Sequence, residues 1–244
     1  HDGELLASSR GMLRLAMSDE QATGLSTSAA AWADGGSSEE ALQQQWVALA
    51  DVSRLAAAGR APMGDDVRGA LFAECALLVD TPAYLRALWR ACSAGGRARW
   101  LHKRVVSLSE LEADRYDAVV VCAGAASTQI RELAQLPLKP CRGQSLVLRN
   151  EGALLRPLIA GKYAVPLGSP PTPDGAPPQV LVGASFEYDG ERCHRPPDVS
   201  AAEALLRPAL AAMHPSFASA PVEAVRAGVR ALPPRTHHGY VPLV

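Results

Sequence analysis

Residues 116–144, YDAVVVCAGAASTQIRELAQLPLKPCRGQ, decide how this chain is read. The apolar run Ala118-Val119-Val120-Val121-Cys122 is rich in β-branched residues and shows no polar alternation, which predicts a strand buried on both faces of a parallel sheet. Ala123-Gly124 ends the run, and a residue without a Cβ lets the backbone turn sharply or lie against a ligand. Ala125 to Leu136 is expected to be a helix with Ile130, Leu133 and Leu136 on one face. Strand, small-residue turn and helix in succession set peptide N–H groups and a helix N-terminus toward a phosphate or ribose. The same succession occurs throughout α/β folds that bind no nucleotide, so alone it defines no ligand.

Further pieces follow in order. Leu136-Pro137-Leu138-Lys139-Pro140-Cys141-Arg142-Gly143-Gln144 leads into an apolar run, and then come Tyr163-Ala164-Val165-Pro166, Leu181-Val182-Gly183-Ala184-Ser185 and Ala227-Gly228-Val229-Arg230. In these pieces the chain resembles the D-amino-acid-oxidase-like family of FAD-dependent oxidoreductases, which includes glycine and sarcosine oxidases. The resemblance runs from about Val79 to the end and is thin before that. It implies an α/β fold: part of a FAD/NAD(P)-binding Rossmann-like domain, interleaved with an α+β substrate domain built on a mostly antiparallel sheet. The expected segments are 5–75 and 137–232 for the substrate domain, 76–136 for the FAD-binding domain, and 233–244 for the start of the return to it.

The resemblance also implies roles. Arg230, the Arg of Gly-x-Arg, is expected to bind a substrate carboxylate, which a guanidinium can hold by two parallel hydrogen bonds. The Tyr163 hydroxyl is expected to reach into the active site. Val105 falls where the family's backbone meets the FAD adenine, and Cys122, Ala123 and Gly124 fall on the ribose and pyrophosphate side. From the residues alone, Arg230 reads equally as a surface or ion-paired arginine, Tyr163 as a strand tyrosine and Val105 as a buried strand valine. Ala126 stands where the family often has Trp.

The implied activity is oxidation of the C–N bond of an amino acid or secondary amine, with FAD taking the hydride and O₂ or another acceptor taking the electrons onward. Two alternatives stay open. One is a related oxidoreductase that modifies the tRNA wobble uridine; the other is a fragment without catalysis that serves as an interaction module. A G-x-G-x-x-G unit with an acidic residue about 20 positions on is expected in a complete enzyme of this family and is not in the sequence, nor is a Gly-rich segment at the end. The 244 residues are therefore expected to be the middle of a longer protein and to bind FAD poorly by themselves.

The rest of the composition bounds the reading. A formal net charge of −1 provides no general electrostatic footprint for nucleic acid or an anionic membrane. The local exception, Arg97 to Arg104 (RARWLHKR), is expected to be a solvated strand edge. Five cysteines, Cys75, Cys92, Cys122, Cys141 and Cys193, lack any C-x-x-C pair, which points to free thiols in a reducing, intracellular compartment, cytoplasm or organelle, and to no metal site. No apolar run approaches the ~18 residues of a spanning helix. His237-His238 would point to opposite faces of a strand and cannot share a metal.

Along the chain, Gly11 to Ala16 predicts a strand, and Ser37 with Glu40 predicts a capping box for a helix carrying Leu42, Trp46, Leu49 and Val52. Residues 60–69 predict a loop. Thr81 as cap with Pro82 at the first helical position opens a helix whose stripe is Leu85, Leu88, Trp89 and Cys92, and Gly95-Gly96 closes it. Strands are expected around residues 99–101 and 103–108, a hairpin from residues 158–167 and 179–186, and a loop over residues 168–178. Ser200 and Glu203 predict another capping box, Pro208 either kinks or restarts that helix, and residues 222–230 predict a strand.

Overall fold

The computed structural model describes residues 7–8, 10–34, 44–57, 62–112, 116–151, 153–167, 177–188, 190, 193, 195–237 and 239–240. In order the elements are β1 (Ala7–Ser8), β2 (Met12–Ala16), α1 (Asp19–Asp34), β3 (Gln44–Ala48), α2 (Leu49–Ala56), β4 (Gly69–Ala73), β5 (Leu78–Val79), α3 (Thr81–Ser93) and α4 (Ser109–Glu112). They continue with β6 (Lys139–Arg149), β7 (Leu158–Ala160), β8 (Lys162–Leu167), β9 (Gln179–Gly183), α5 (Val199–Met213), β10 (Val222–Leu232), β11 (Arg235–Thr236) and β12 (Gly239–Tyr240).

Eight strands form one sheet in the order β10-β6-β9-β8-β7-β2-β4-β3, and within it only the β2–β7 pair is parallel. The class is α/β with a mainly antiparallel sheet, as expected. Side chains in direct register share a face, so Leu146, Val182, Ala164, Leu158, Leu13 and Phe72 form an unbroken apolar row across six strands. Helix α5 lays Ala202, Leu206, Leu210 and Met213 over that row, all fully or almost fully buried. Their three- and four-residue spacing is the apolar stripe of an amphipathic helix, and each large side chain so buried contributes about 1.5–3 kcal/mol. Pro208 lies on the exposed side of α5 and the helix runs through it.

The strands at residues 12–16 and 222–232 agree with the sequence reading, and β8 pairs with β9 as expected; the expected 158–167 strand instead turns back at Gly161 (φ +70°) into the paired strands β7 and β8, and β9 ends at Gly183 rather than 186. The Ser37–Glu40 cap, most of the 168–178 loop and His238 lie outside the described residues. Several local expectations are corrected. Residues 118–122 are not a strand: Val120 is 84% exposed, because a doubly buried strand needs neighbours and no strand among the described residues pairs with it. Ala125 to Leu136 folds as two short 3-10 helices, Gly124–Gln129 and Arg131–Leu133, rather than one α-helix. No strand forms at residues 99–101 or 103–108. Trp46 sits on β3, and the helix begins only at Leu49, because pairing with β4 overrides helical spacing there. Asp80 caps α3 by accepting from Ala83 N (2.8 Å), one residue before the expected Thr81. Asp198 likewise caps α5 through Ala201 N (3.0 Å), in place of Ser200. Leu85, Leu88 and Trp89 of α3 are exposed, with Trp100 edge-on to Trp89 at 5.8 Å.

Helix α1 has no counterpart among the expected elements, although Ser18-Asp19-Glu20-Gln21 carries a helix start. Ser18 Oγ accepts from Gln21 N (3.2 Å), the first bond of a capping box, while Gln21 Oε1 accepts from Met17 N (2.9 Å), one residue before the cap.

Candidate active site

The face of the sheet opposite α5 carries the site, and strand β6 explains why. Successive residues of a strand point to opposite sides, so Arg142 and Gln144 point toward the α5 side while Gly143 and Ser145 face the open side. Arg142 is 3% exposed and donates through Nη1 to Glu187 Oε2 (2.7 Å) and through Nη2 to the carbonyl of Pro196. Gln144, fully buried, donates through Nε2 to Glu187 Oε1 (3.1 Å) and accepts from Asp198 N (2.7 Å). Ser185 Oγ donates to Glu187 Oε1 (2.7 Å). Burial pushes the Glu187 carboxyl up, but hydrogen bonds from Ser185, Arg142 and Gln144 outweigh it and hold the group below the usual carboxylate range. The polar residues of Arg-Gly-Gln thus anchor β6 to the segment that enters α5.

On the open face the registers place Arg230 opposite Cys141, Gly228 opposite Gly143, Arg226 opposite Ser145, and both Ser145 and Tyr163 opposite Gly183. Arg230 and Tyr163 are therefore brought to one face. Arg230 is half-buried, donates from Nη1 to Ser185 O (3.3 Å) and lies over the Phe186 ring at 4.5 Å. A Cβ on Gly143 would overlap the Arg230 guanidinium, so the glycine is what lets the arginine lie flat against the sheet. No carboxylate pairs with Arg230 among the described residues. The Tyr163 hydroxyl meets Ser145 Oγ at 2.9 Å, and a Cβ on Gly183 would crowd both, at 3.1 and 2.5 Å. Gly143, Ser145, Arg226, Gly228 and Arg230 line a cleft of about 310 Å³.

The residues expected on the cofactor side lie elsewhere, on segments whose neighbouring residues, 106–108 and 131–132, are hydrogen-bonded to each other. Val105 is half-buried, whereas Cys122, Ala123 and Gly124 are exposed. Val106 O accepts from Arg131 N (3.0 Å), and Glu132 accepts from Ser107 Oγ (2.5 Å) and Leu108 N (2.9 Å). The 3-10 helix that starts at Gly124 packs beside β10, the strand of Arg230. Gly124 has φ +54° and open space where a Cβ would stand, so its backbone can be approached by a bound group. The open backbone at Gly124 leaves room for a bound group, while the strand and α-helix expected to flank it are replaced by extended chain and a 3-10 helix.

The hydrogen bond from Ser107, followed by that from Leu108, lowers the Glu132 pKa from 4.5 to about 2. Because the folded-state value is the lower one, this contribution to folding is complete above 4.5 and is lost as pH falls toward about 2. The Leu108 amide resonance is expected to titrate with a midpoint near about 2 and to lose that step in Glu132→Gln. A midpoint near 4.5 would show that the tether is absent.

The Arg97–Arg104 stretch has no strand structure; Arg104 Nη2 donates to Gln129 Oε1 (3.1 Å) and Lys103 pairs with Glu110 (3.7 Å). Cys75, Cys92 and Cys122 are exposed thiols and Cys141 a buried one, and no metal-binding cluster occurs among the described residues. No helix among the described residues is long and apolar enough to cross a membrane.

The fold, and the match of residues 2–244 to the family described as FAD dependent oxidoreductase (DAO), place the chain: it belongs to that family. Its structure is similar to glycine oxidase from Geobacillus kaustophilus, with a TM-score of 0.70 at 19% identity over 96% of this chain and 61% of that one. It is similar also to iminodiacetate oxidase from Chelativorans sp. BNC1 (TM-score 0.69, 20% identity, 95% of this chain and 63% of that one). A third is L-proline dehydrogenase from P. horikoshii (TM-score 0.66, 13% identity, 95% and 63%). The chain thus spans about three fifths of the length of these structures. No curated protein matches its sequence.

Proposed function

We propose that this chain contributes the substrate-binding part, and some of the cofactor-binding part, of an FAD-dependent oxidoreductase acting on the C–N bond of an amino acid or secondary amine. Residues 5–75 and 137–232 belong to the substrate domain, and residues 76–136 and 233–244 to the FAD-binding domain. The observation that carries this reading is Arg230, a guanidinium held flat between Phe186 and Gly143 on the open face with no carboxylate partner among the described residues.

Arg230 binds the substrate carboxylate by two parallel hydrogen bonds, which fixes the orientation of the adjacent α-carbon. The Phe186 ring shields one side of the guanidinium from water and strengthens that pairing. The Tyr163 hydroxyl, partnered by Ser145, can accept a hydrogen bond from the substrate nitrogen while donating to Ser145. Val105, Cys122, Ala123 and Gly124 would hold FAD, which when bound supplies the hydride acceptor.

Anaerobic mixing of the flavin-loaded protein with amino acids, and with the corresponding amines that lack the carboxylate, tests the reading. Bleaching of the flavin absorbance by an amino acid but not by its decarboxylated counterpart is expected. Bleaching by neither, across a panel of primary and secondary amines, would remove the assignment.

A further inference from the structure

The cleft holds a second arginine that the carboxylate clamp does not use. Arg226 stands four residues before Arg230 on the same face of β10, in register with Ser145. Four residues of strand separate the two Cα atoms by about 13 Å. Between them the floor is a facing pair of glycines, Gly228 and Gly143. A Cβ on Gly228 would meet nothing within 4 Å, so the space above the floor is open. The Arg230 guanidinium overlies Gly143, which places its cationic head over the floor, toward the Arg226 end. Arg226 has no ion-pair or hydrogen-bond partner among the described residues, and none of the residues lining the cleft is acidic.

The Arg230 guanidinium over Gly143 and the unpartnered Arg226 at the other end of one 310 Å³ cleft, with open space over Gly228 between their Cα positions, repel each other until an anion bridges them. Resting on the assignment of Arg230 as the carboxylate clamp, we infer that the substrate is a small amine bearing two carboxylates, the second held by Arg226. Such a dianion relieves the charge at both ends, whereas a monocarboxylate leaves Arg226 facing an apolar tail.

Calorimetric binding of non-oxidisable acids to the flavin-loaded protein separates this inference from its premise. The probes are acetate, propionate, succinate and glutarate, titrated into the wild type, Arg226→Gln and Arg230→Gln. The wild type is expected to bind a dicarboxylate about tenfold or more tighter than the monocarboxylates, the size of one added charge-assisted pair at a partly exposed site. Arg226→Gln is expected to erase that preference with monocarboxylate affinity unchanged, and Arg230→Gln to weaken both classes. Equal affinity for mono- and dicarboxylates in the wild type, with Arg226→Gln without effect, would overturn the inference and leave the Arg230 clamp standing. Carboxylate binding that survives Arg230→Gln undiminished would overturn the clamp and the inference with it.

Discussion

Arg230→Gln is expected to lower kcat/KM for an amino-acid substrate by about 30- to 1000-fold, since truncating one member of a desolvated, hydrogen-bonded charge pair costs ~2–4 kcal/mol at a half-buried position. Much of the loss should appear in KM, because the clamp holds ground and transition states alike, with a further fall in kcat if the α-carbon loses its orientation. Arg230→Lys keeps the charge but not the two-pronged geometry, and should fall between. Gly143→Ala provides an independent route to the same defect: its Cβ would overlap the guanidinium, so Arg230 must move while its charge remains. A decarboxylated amine serves as control, with similar rates expected for wild type and variants. Steady-state kinetics in which Arg230→Gln matches wild type on amino acids would end the carboxylate-clamp assignment.

The second large effect is on stability. Arg142 and Glu187 side chains are 4% and 11% exposed and 2.7 Å apart. Glu187→Gln removes the counter-charge and leaves the guanidinium buried, at a cost of about 3–5 kcal/mol. For a chain of this size that corresponds to a fall in Tm of about 6–20 °C. Arg142→Met should cost a similar amount through the stranded carboxylate, and the double variant should lose clearly less than the sum of the two. Since the folded-state pKa of Glu187 is depressed, its contribution is present above the ordinary carboxylate value and fades as acid takes the pH through the lower folded value. Thermal unfolding followed by circular dichroism reads all three variants, and strictly additive losses would show that the two groups do not interact.

The sequence disclosed the substrate-domain side of this chain better than the cofactor side, for reasons visible in particular residues. In β2 the pattern Leu13-Arg14-Leu15 gives one face away, because Leu13 and Leu15 are buried on the α5 side while Arg14 is exposed on the other. Arg-Gly-Gln marked a family resemblance, but only the strand geometry shows its division of labour, two polar anchors inward and a glycine outward. Glu187 could not be read at all: apart from Ser185, its partners Arg142 and Gln144 are 45 and 43 residues away, and a nearby serine does not distinguish it from a surface carboxylate. Arg226 was equally hidden, because its meaning comes from standing in register with Ser145 across β6. Val119, Val120 and Val121 failed in the opposite direction. Their β-branched run is a good local signal, but a strand is a tertiary object, and without a paired neighbour the propensity has nothing to act on.

The single parallel pairing in the sheet also bears on how the chain acquires its fold. Leu13 of β2 pairs with Leu158 of β7, 145 residues later. At synthesis rates of roughly 5–20 residues per second, β2 leaves the ribosome roughly 7–30 s before its partner exists. The β2–β4–β3 antiparallel unit can form early from residues 12–73 alone, yet throughout that interval its β2 edge presents an open ladder that any passing strand could occupy. Closing the sheet is therefore a late, long-range event of high contact order and slow rate, and the nascent three-stranded unit, not the finished protein, is the species most exposed to misassembly.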